Sequence, residues 1–460
     1  MIMTGRTRPI LLFSLVVFGA VISLLNPING LLFYVVIALT IWIYAKPLFG
    51  FYLAFLIAPL ENVFFEYDSP LRTLSEKYSV IIFPVALTTL VLLTKKTLKN
   101  NPRNSHPFNN IIVLLLLFIL GWSIISYLWS IDIYHGINTI YNVGLGIAIY
   151  FLTLSFIKDK ETFEKTSKIL LLWGFILAIS LFLSNKVVID QIHTKLMDNV
   201  FFRSGLISYD KRPGGFSHPN RTCSFLSFVF FMGIALYPKV KRNIKILLLL
   251  LGLFLISCII STGSKGGIGA FLLGMLIFIF IHPGVRKKII SFTSLFLFCM
   301  VSVAVFNVIV LNADRIVKGG EQAAVSLTSR LEYWKTGFDM LSNRWIGAGV
   351  GGFAVLIDPE AGAHSFYFSI LFDLGIIGLV MFFLFIAYIC VRLRRAIINT
   401  EDKDMKLYLY CMVCSLMVFL IHGLVEMSYD MLYFWMLIGT VTAVINISEK
   451  EQRIVKEQGM

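Results

Sequence analysis

The chain has 460 residues, 58% of them hydrophobic and only 14% charged, with a formal net charge of +14. Soluble domains carry about 25% charged residues, so the balance excludes an ordinary water-soluble enzyme and points to a polytopic membrane protein. The positive charge needs no nucleic-acid partner: it gathers in short segments between apolar runs, as the positive-inside rule requires, and no nucleic-acid motif is present.

In chain order, apolar runs fall at 10–25, 28–44, 47–60, 80–94, 110–129, 138–157, 169–184, 223–238, 245–261, 266–282, 289–310, 366–390, 407–424 and 430–447. Lipid offers no partner to open backbone groups, so each run is expected to be helical. The fold class is all-α, a polytopic membrane bundle of about 12–14 transmembrane helices. The run following Arg6 and Arg8 has no clear small-residue cleavage site and is expected to be a retained first span.

The basic segments "KKTLKNNPR" (95–103), "KDKETFEK" (158–165), "KVKRNIK" (239–245), "VRKK" (285–288) and "RLRR" (392–395) fall on one side of this threading, with both tails. That side is expected to be cytoplasmic. The chain then divides into N-terminal helices (1–184), a long outer loop (185–222), central helices (223–310), a second long outer loop (311–365), and C-terminal helices with a cytoplasmic tail (366–460). Long ordered loops usually carry function.

"RPGGFSHPN" (212–220) closes the first outer loop, and its prolines and glycines forbid regular helix. "STGSKGG" (261–267) forms a hairpin between two spans on the same side. In the second loop, "SRLEYWKTGFDML" (329–341) has capping-box spacing at Ser329 and Glu332. Leu331, Trp334, Phe338 and Leu341 follow as one apolar stripe, predicting an amphipathic surface helix opened by Arg330. Arg212, Lys265 and Arg330 are thus outward cations, two of them beside glycines that let backbone N–H groups approach a ligand. Such an arrangement suits an anion, phosphate above all. His364, in "GAHSFYFSILFDLGIIGL" (362–379), stands where the second loop re-enters the membrane, behind a glycine-rich segment, "IGAGVGGF" (346–353), expected to be flexible. A histidine near its ordinary pKa can take a proton at physiological pH.

Other polar residues point less sharply. His218 and Asn220 are possible substrate contacts, while His106, His135, His193, His282 and His422 have no partner that the sequence identifies. Cys223, Cys258, Cys299, Cys390, Cys411 and Cys414 lie in or beside apolar runs, so no disulfide framework is expected, and the CxxC at Cys411 and Cys414 reads as a buried structural pair. Asp402 and Asp404 form a DxD among lysines, which reads as a solvated charge run. No metal site and no cofactor are expected.

The order of "RPGGFSHPN", "STGSKGG", "SRLEYWKTGFDMLSNRWIGAGVGGF" and "HSFYFSILFDLGIIGL" resembles the O-antigen ligase and polymerase superfamily over about residues 205–390. The resemblance implies a bacterial cytoplasmic-membrane glycosyltransferase with its active site outside the cytoplasm and both termini inside. It implies metal-independent, inverting transfer of glycan from an undecaprenyl-pyrophosphate donor to an acceptor hydroxyl of a glycan or glycolipid. By motif, Arg212, Lys265 and Arg330 would hold the pyrophosphate and His364 would activate the acceptor. Two positions depart from the family: Lys265 stands where arginine is usual, and Ser365 follows the histidine where asparagine is frequent. Polymerase is favoured over ligase because nothing identifies a lipid A partner. The alternative is a transporter or flippase for a lipid-linked or anionic solute, which predicts mid-membrane charges and a repeat of the two halves.

Overall fold

The computed structural model describes residues 27–57, 84–95, 110–183, 218–282, 314–357, 363–425 and 429–457. The expected spans at 10–25 and 289–310, and Cys299, lie outside these residues. Among those described, every regular element is helical: α1 (Pro27–Ala45), α2 (Pro47–Ile57), α3 (Pro84–Lys95), α4 (Asn110–Ser126), α5 (Ile133–Phe156), α6 (Lys160–Leu183), α7 (Pro219–Leu236), α8 (Arg242–Ser261), α9 (Lys265–Ile281), α10 (Asp314–Asn343), α11 (Phe353–Ile357), α12 (Phe366–Asn399), α13 (Lys403–His422) and α14 (Leu432–Glu457). Eight are long and apolar enough to cross a membrane, so the chain is an integral membrane bundle.

α14 is the axis. Its spanning window is 89% buried, against 22% for α4 and α8, which face outward. Small residues bring α5 against it: a Cβ on Gly146 would strike the Trp435 ring, and one on Gly439 would lie 2.8 Å from Thr153 Cβ. Close approach at glycine is the usual route to helix packing in lipid. The helices run alternately, so the segments 130–132, 262–264, 344–352, 363–365 and 423–425 share one end, called here the upper end. The lower end holds the charged turns. There Asp402 caps α13 by accepting from Met405 N at 2.6 Å and pairs with Lys160 at 3.4 Å, while Asp404 pairs with Lys239 at 2.5 Å. The DxD is thus occupied with helix ends. Cys411 and Cys414 are free and buried.

Three expectations need correction. The runs at 28–44 and 47–60 do not form two straight spans: α1 and α2 meet at Pro47 with a bend of 117°, as a proline that cannot donate to the helix ladder allows. The amphipathic helix does not begin at Ser329. α10 runs unbroken from Asp314, so Ser329 and Glu332 sit inside it and make no capping box, and Arg330 lies within the helix rather than opening it. The preceding "EQAAVSLT" has no breaker, and alanine, glutamate and glutamine favour helix. The α10 stripe also docks on protein rather than lying only along a surface. Trp334 and Phe338 pack on Phe368 at ring distances of 4.8 and 5.5 Å, although Leu331 and Phe338 remain about half exposed.

The third correction concerns "IGAGVGGF", which is a buried wedge rather than a flexible segment. α12 breaks at Gly375 (φ 70°, ψ −169°), which would leave backbone groups open inside the bundle. The wedge satisfies them. Ala348 N donates to Phe372 O at 2.8 Å, Gly349 N to Asp373 O at 3.0 Å, and Ile376 N to Trp345 O at 3.2 Å. Trp122 Nε1 donates to Leu374 O at 2.8 Å. On its other side the wedge is stitched to the α4–α5 turn, where Ser130 Oγ donates to Val350 O at 2.9 Å. Buried Asp373 accepts from Phe353 N at 2.9 Å and from Tyr429 O–H at 3.1 Å. Burial, then the Asp373 and Asp430 carboxylates, push the Tyr429 phenol well above its usual range, so it stays a donor.

Gly349 combines φ 88° with a Cβ direction that runs into Ser130 backbone. Gly349→Ala is expected to lower thermal stability in detergent by about 1–3 kcal/mol or more, the range for backbone strain before any clash. Gly121→Ala, with nothing within 4 Å of the new methyl, is expected to leave the melting temperature unchanged or raise it.

Candidate active site

The turn after α13 gathers the upper end. His422 N-terminal to it is 1% exposed. Its Nδ1 lies 2.5 Å from Ser224 Oγ on α7, and its Nε2 lies 3.4 Å from Ser264 Oγ, the N-cap of α9. Gly423 O accepts Phe366 N at 2.8 Å and Ser365 Oγ at 3.3 Å. Val425 O accepts Arg330 Nη1 at 2.7 Å, and the Val425 side chain fills the space a Cβ on Gly266 would need.

These bonds account for where the sequence candidates sit. Lys265, exposed, is the first residue of α9, and Ser264 Oγ accepts Gly267 N at 3.3 Å to start that helix. Lys265 neighbours Gly266, which packs on Val425. Arg330, half-buried in α10, reaches the same residue through its carbonyl. His364 precedes the two residues that bond to Gly423. Arg330 itself, and the residues directly beside Lys265 and His364, therefore meet one three-residue turn, from α10, from the start of α9 and from the segment just before α12. Arg212 lies outside the described residues.

His364 adopts φ 48°, a left-handed conformation that costs a residue with a Cβ about 1–2 kcal/mol. The fold imposes it from both sides. Trp334 Nε1 donates to Ala363 O at 2.8 Å, and Ser365 and Phe366 are tied to Gly423. The His364 ring stacks on Tyr333 with centroids 6.4 Å apart and planes 14° from parallel. A half-exposed imidazole held in a strained backbone is the kind of outlier that marks functional positions.

His218 and Asn220 belong to the same end in a different way. His218 is the N-cap of α7: Nδ1 accepts from Asn220 N at 3.4 Å, with Pro219 at the first helical position. α7 thus begins a turn before the expected 223, and Asn220 is buried. Cys223 packs at the α9 start, 2.5 Å from where a Gly267 Cβ would be. His135, unassigned in the sequence, bonds through Nδ1 to Asp132 at 3.0 Å.

His422 is the residue that sequence reasoning missed. The available signal was position alone: a histidine followed by glycine, at the end of a span on the side of the other candidates. Its partners, Ser224 and Ser264, lie 198 and 158 residues away, and nothing in the sequence pairs them. Among the described residues, no group of three or more His, Cys, Asp or Glu side chains gathers as a metal site would.

The comparisons fall on the helices that carry these residues. A family model described as O-antigen ligase matches residues 247–383, from within α8 to within α12, and so includes Lys265, Arg330 and His364. Among curated proteins, the chain is 22% identical over 369 residues to the teichuronic acid biosynthesis protein TuaE of Bacillus subtilis (strain 168), covering 74% of this chain and 73% of that one. Both bear out the resemblance to the O-antigen ligase and polymerase superfamily.

Trp334→Phe keeps the ring packing on Phe368 and removes the bond to Ala363 O. It is expected to cost about 1 kcal/mol and to speed amide hydrogen exchange over residues 363–366, read by mass spectrometry, with little change at α14.

Proposed function

We propose that this protein is a membrane glycosyltransferase of surface-polysaccharide assembly. It transfers glycan from an undecaprenyl-pyrophosphate carrier to an acceptor hydroxyl, as polymerase more than ligase. The observation that carries the reading is that Arg330, together with the residues flanking Lys265 and His364, packs on the one turn at 423–425. The family match over 247–383, and a relative named for teichuronic acid biosynthesis, support the same class.

The chemistry fits these residue types. The acceptor oxygen attacks the anomeric carbon as the bond to pyrophosphate breaks, and negative charge grows on the leaving group. Lys265 and Arg330, with Arg212 from the preceding loop, meet that charge. Cations fixed in advance stabilise the developing charge without reorganising. Lys265 acts as a point charge at a helix N-terminus, where the first-turn amides and the helix dipole add to it. His364 takes the proton released by the acceptor hydroxyl, and inversion follows from this single displacement. The carrier's prenyl chain lies along the apolar outer faces of the bundle.

The site faces away from the cytoplasm on this reading. The lower end carries Arg394, Arg395, Lys403 and Lys450 at helix ends, the bias expected of a cytoplasmic face. The termini would then both be cytoplasmic and the membrane the bacterial inner membrane.

The test is transfer by purified protein from an undecaprenyl-pyrophosphate oligosaccharide, with and without EDTA. Transfer is expected to survive EDTA. Replacing one cation, as Arg212→Gln, Lys265→Gln or Arg330→Gln, is expected to lower kcat/KM about 10²–10³-fold, the cost of one oriented donor elsewhere. His364→Ala is expected to abolish transfer in a folded protein, whereas Asp404→Asn at the lower end leaves it unchanged. Carrier movement across liposomes without any transfer would overturn the proposal in favour of a transporter.

A further inference from the structure

Resting on that reading, the geometry points to His422 as a positioning residue of the site, one that touches neither donor nor acceptor. We infer that its imidazole fixes the spacing between the phosphate-binding cations and His364. Three observations meet on it. Its two ring nitrogens face Ser224 Oγ on α7 and Ser264 Oγ on α9. Ser264 is also the side chain that starts α9, and so fixes where Lys265 and the first-turn amides point. The residue after His422 is Gly423, whose carbonyl holds Ser365 and Phe366, and hence His364.

One ring therefore spans the helix that presents Lys265 and the turn that presents His364. The same turn continues to Val425, whose carbonyl takes Arg330. A ring of this kind suits the task. A neutral imidazole donates from one nitrogen and accepts at the other, so it can bridge two hydroxyls at a fixed span. Buried at 1% exposure, it is shielded from competing water. An apolar residue of similar size would pack there yet leave Ser224 and Ser264 without this link, and α9 would slide relative to the turn. Misplacing a reacting group by about 1 Å can cost about 10²-fold in rate.

Two measurements on the full-length protein in nanodiscs test this. The first needs no activity: nitroxide labels at Leu273→Cys on α9 and at Glu332→Cys on α10, beside the Tyr333 that stacks on His364, both exposed, report the distance between the Lys265 helix and the element against His364. A narrow distribution in the parent is expected to broaden in His422→Ala and to narrow again in His422→Asn, whose amide replaces the Nδ1 contact with Ser224. The second is transfer kinetics. His422→Ala is expected to lower the melting temperature, as a buried cavity does, and in the protein that stays folded to lose about 10²-fold in kcat/KM, with His422→Asn recovering most of kcat. Ser264→Ala is expected to add little on top of His422→Ala, as for residues acting through one contact. An unchanged distance distribution in folded His422→Ala overturns the inference. So does a His422→Asn no better than alanine, or wild-type kinetics in His422→Ala. If the alanine variant fails to fold, His422→Asn and His422→Gln carry the same comparison. Absence of transfer by wild type, with the distance change intact, would overturn the glycosyltransferase reading and leave the positioning role standing.

Discussion

The architecture of the upper end follows from one constraint: a helix broken inside a membrane protein must have its open backbone groups met by protein. α12 breaks at Gly375, and the groups so exposed include the carbonyls of Phe372, Asp373 and Leu374. Each unmet group in that setting costs several kcal/mol. The wedge at 345–353 meets the Phe372 and Asp373 carbonyls with its amides and the Ile376 amide with the Trp345 carbonyl, while Trp122 meets Leu374 O. The wedge is rich in glycine because side chains would keep its backbone from approaching α12. Once seated, the wedge fixes where the chain leaves the bundle after α10 and where it returns at His364. Asp373 and Tyr429 then lock the wedge to the start of α14.

A second set of bonds takes over where the wedge ends. The Gly423 and Val425 carbonyls, exposed at a helix C-terminus, would otherwise be orphans. They are satisfied by groups from α10 and α12 instead of by water. The functional candidates inherit their positions from this satisfaction of backbone groups. Arg330 commits one guanidinium nitrogen to a carbonyl, which orients the rest of its planar fork. Lysine at 265 needs less orientation, because its charge is compact and α9 starts directly beside the turn. The exchange of arginine for lysine at this position is thus compatible with a fixed site.

Much of this was legible in the sequence, and the remainder fails for identifiable reasons. The long apolar runs of α5 to α8 and α12 to α14 were legible because hydropathy alone decides them. The order of cation motifs and His364 was legible because glycine, proline and charge stand out in an apolar chain. The bend between α1 and α2 was not, since Pro47 at a span boundary reads equally as a turn between two helices. The Ser329 and Glu332 spacing misled because a capping box is local, whereas the helix start is decided by whether the preceding residues can continue the ladder. "IGAGVGGF" reads as flexible whenever its glycines are considered by themselves. Its rigidity comes from partners more than 20 residues away in α12 and over 200 away at Ser130. His422 escaped for the same reason, its role residing in two serines that sequence distance separates from it.

The same network bears on the choice between an enzyme and a transporter. Alternating access requires one group of helices to rock against another around the binding site. Here α7, α9, α10, α12 and α13 meet at the candidate site through His422, Gly423 and Val425, and α4 and α5 are joined to α12 through the wedge. Rocking any of these against the others would break several buried hydrogen bonds at once and expose groups that lipid cannot satisfy. The buried charge in the lower half of α12 is likewise tied down, Arg392 binding Glu449 through two nitrogens at 3.0 and 2.6 Å. A framework held in register suits charge stabilisation in a transition state, where any reorganisation of the groups it carries would add to the barrier. The physical character of the upper end, hydrogen-bonded across several helices and holding one strained histidine, thus favours chemistry performed in place over passage of a solute through it.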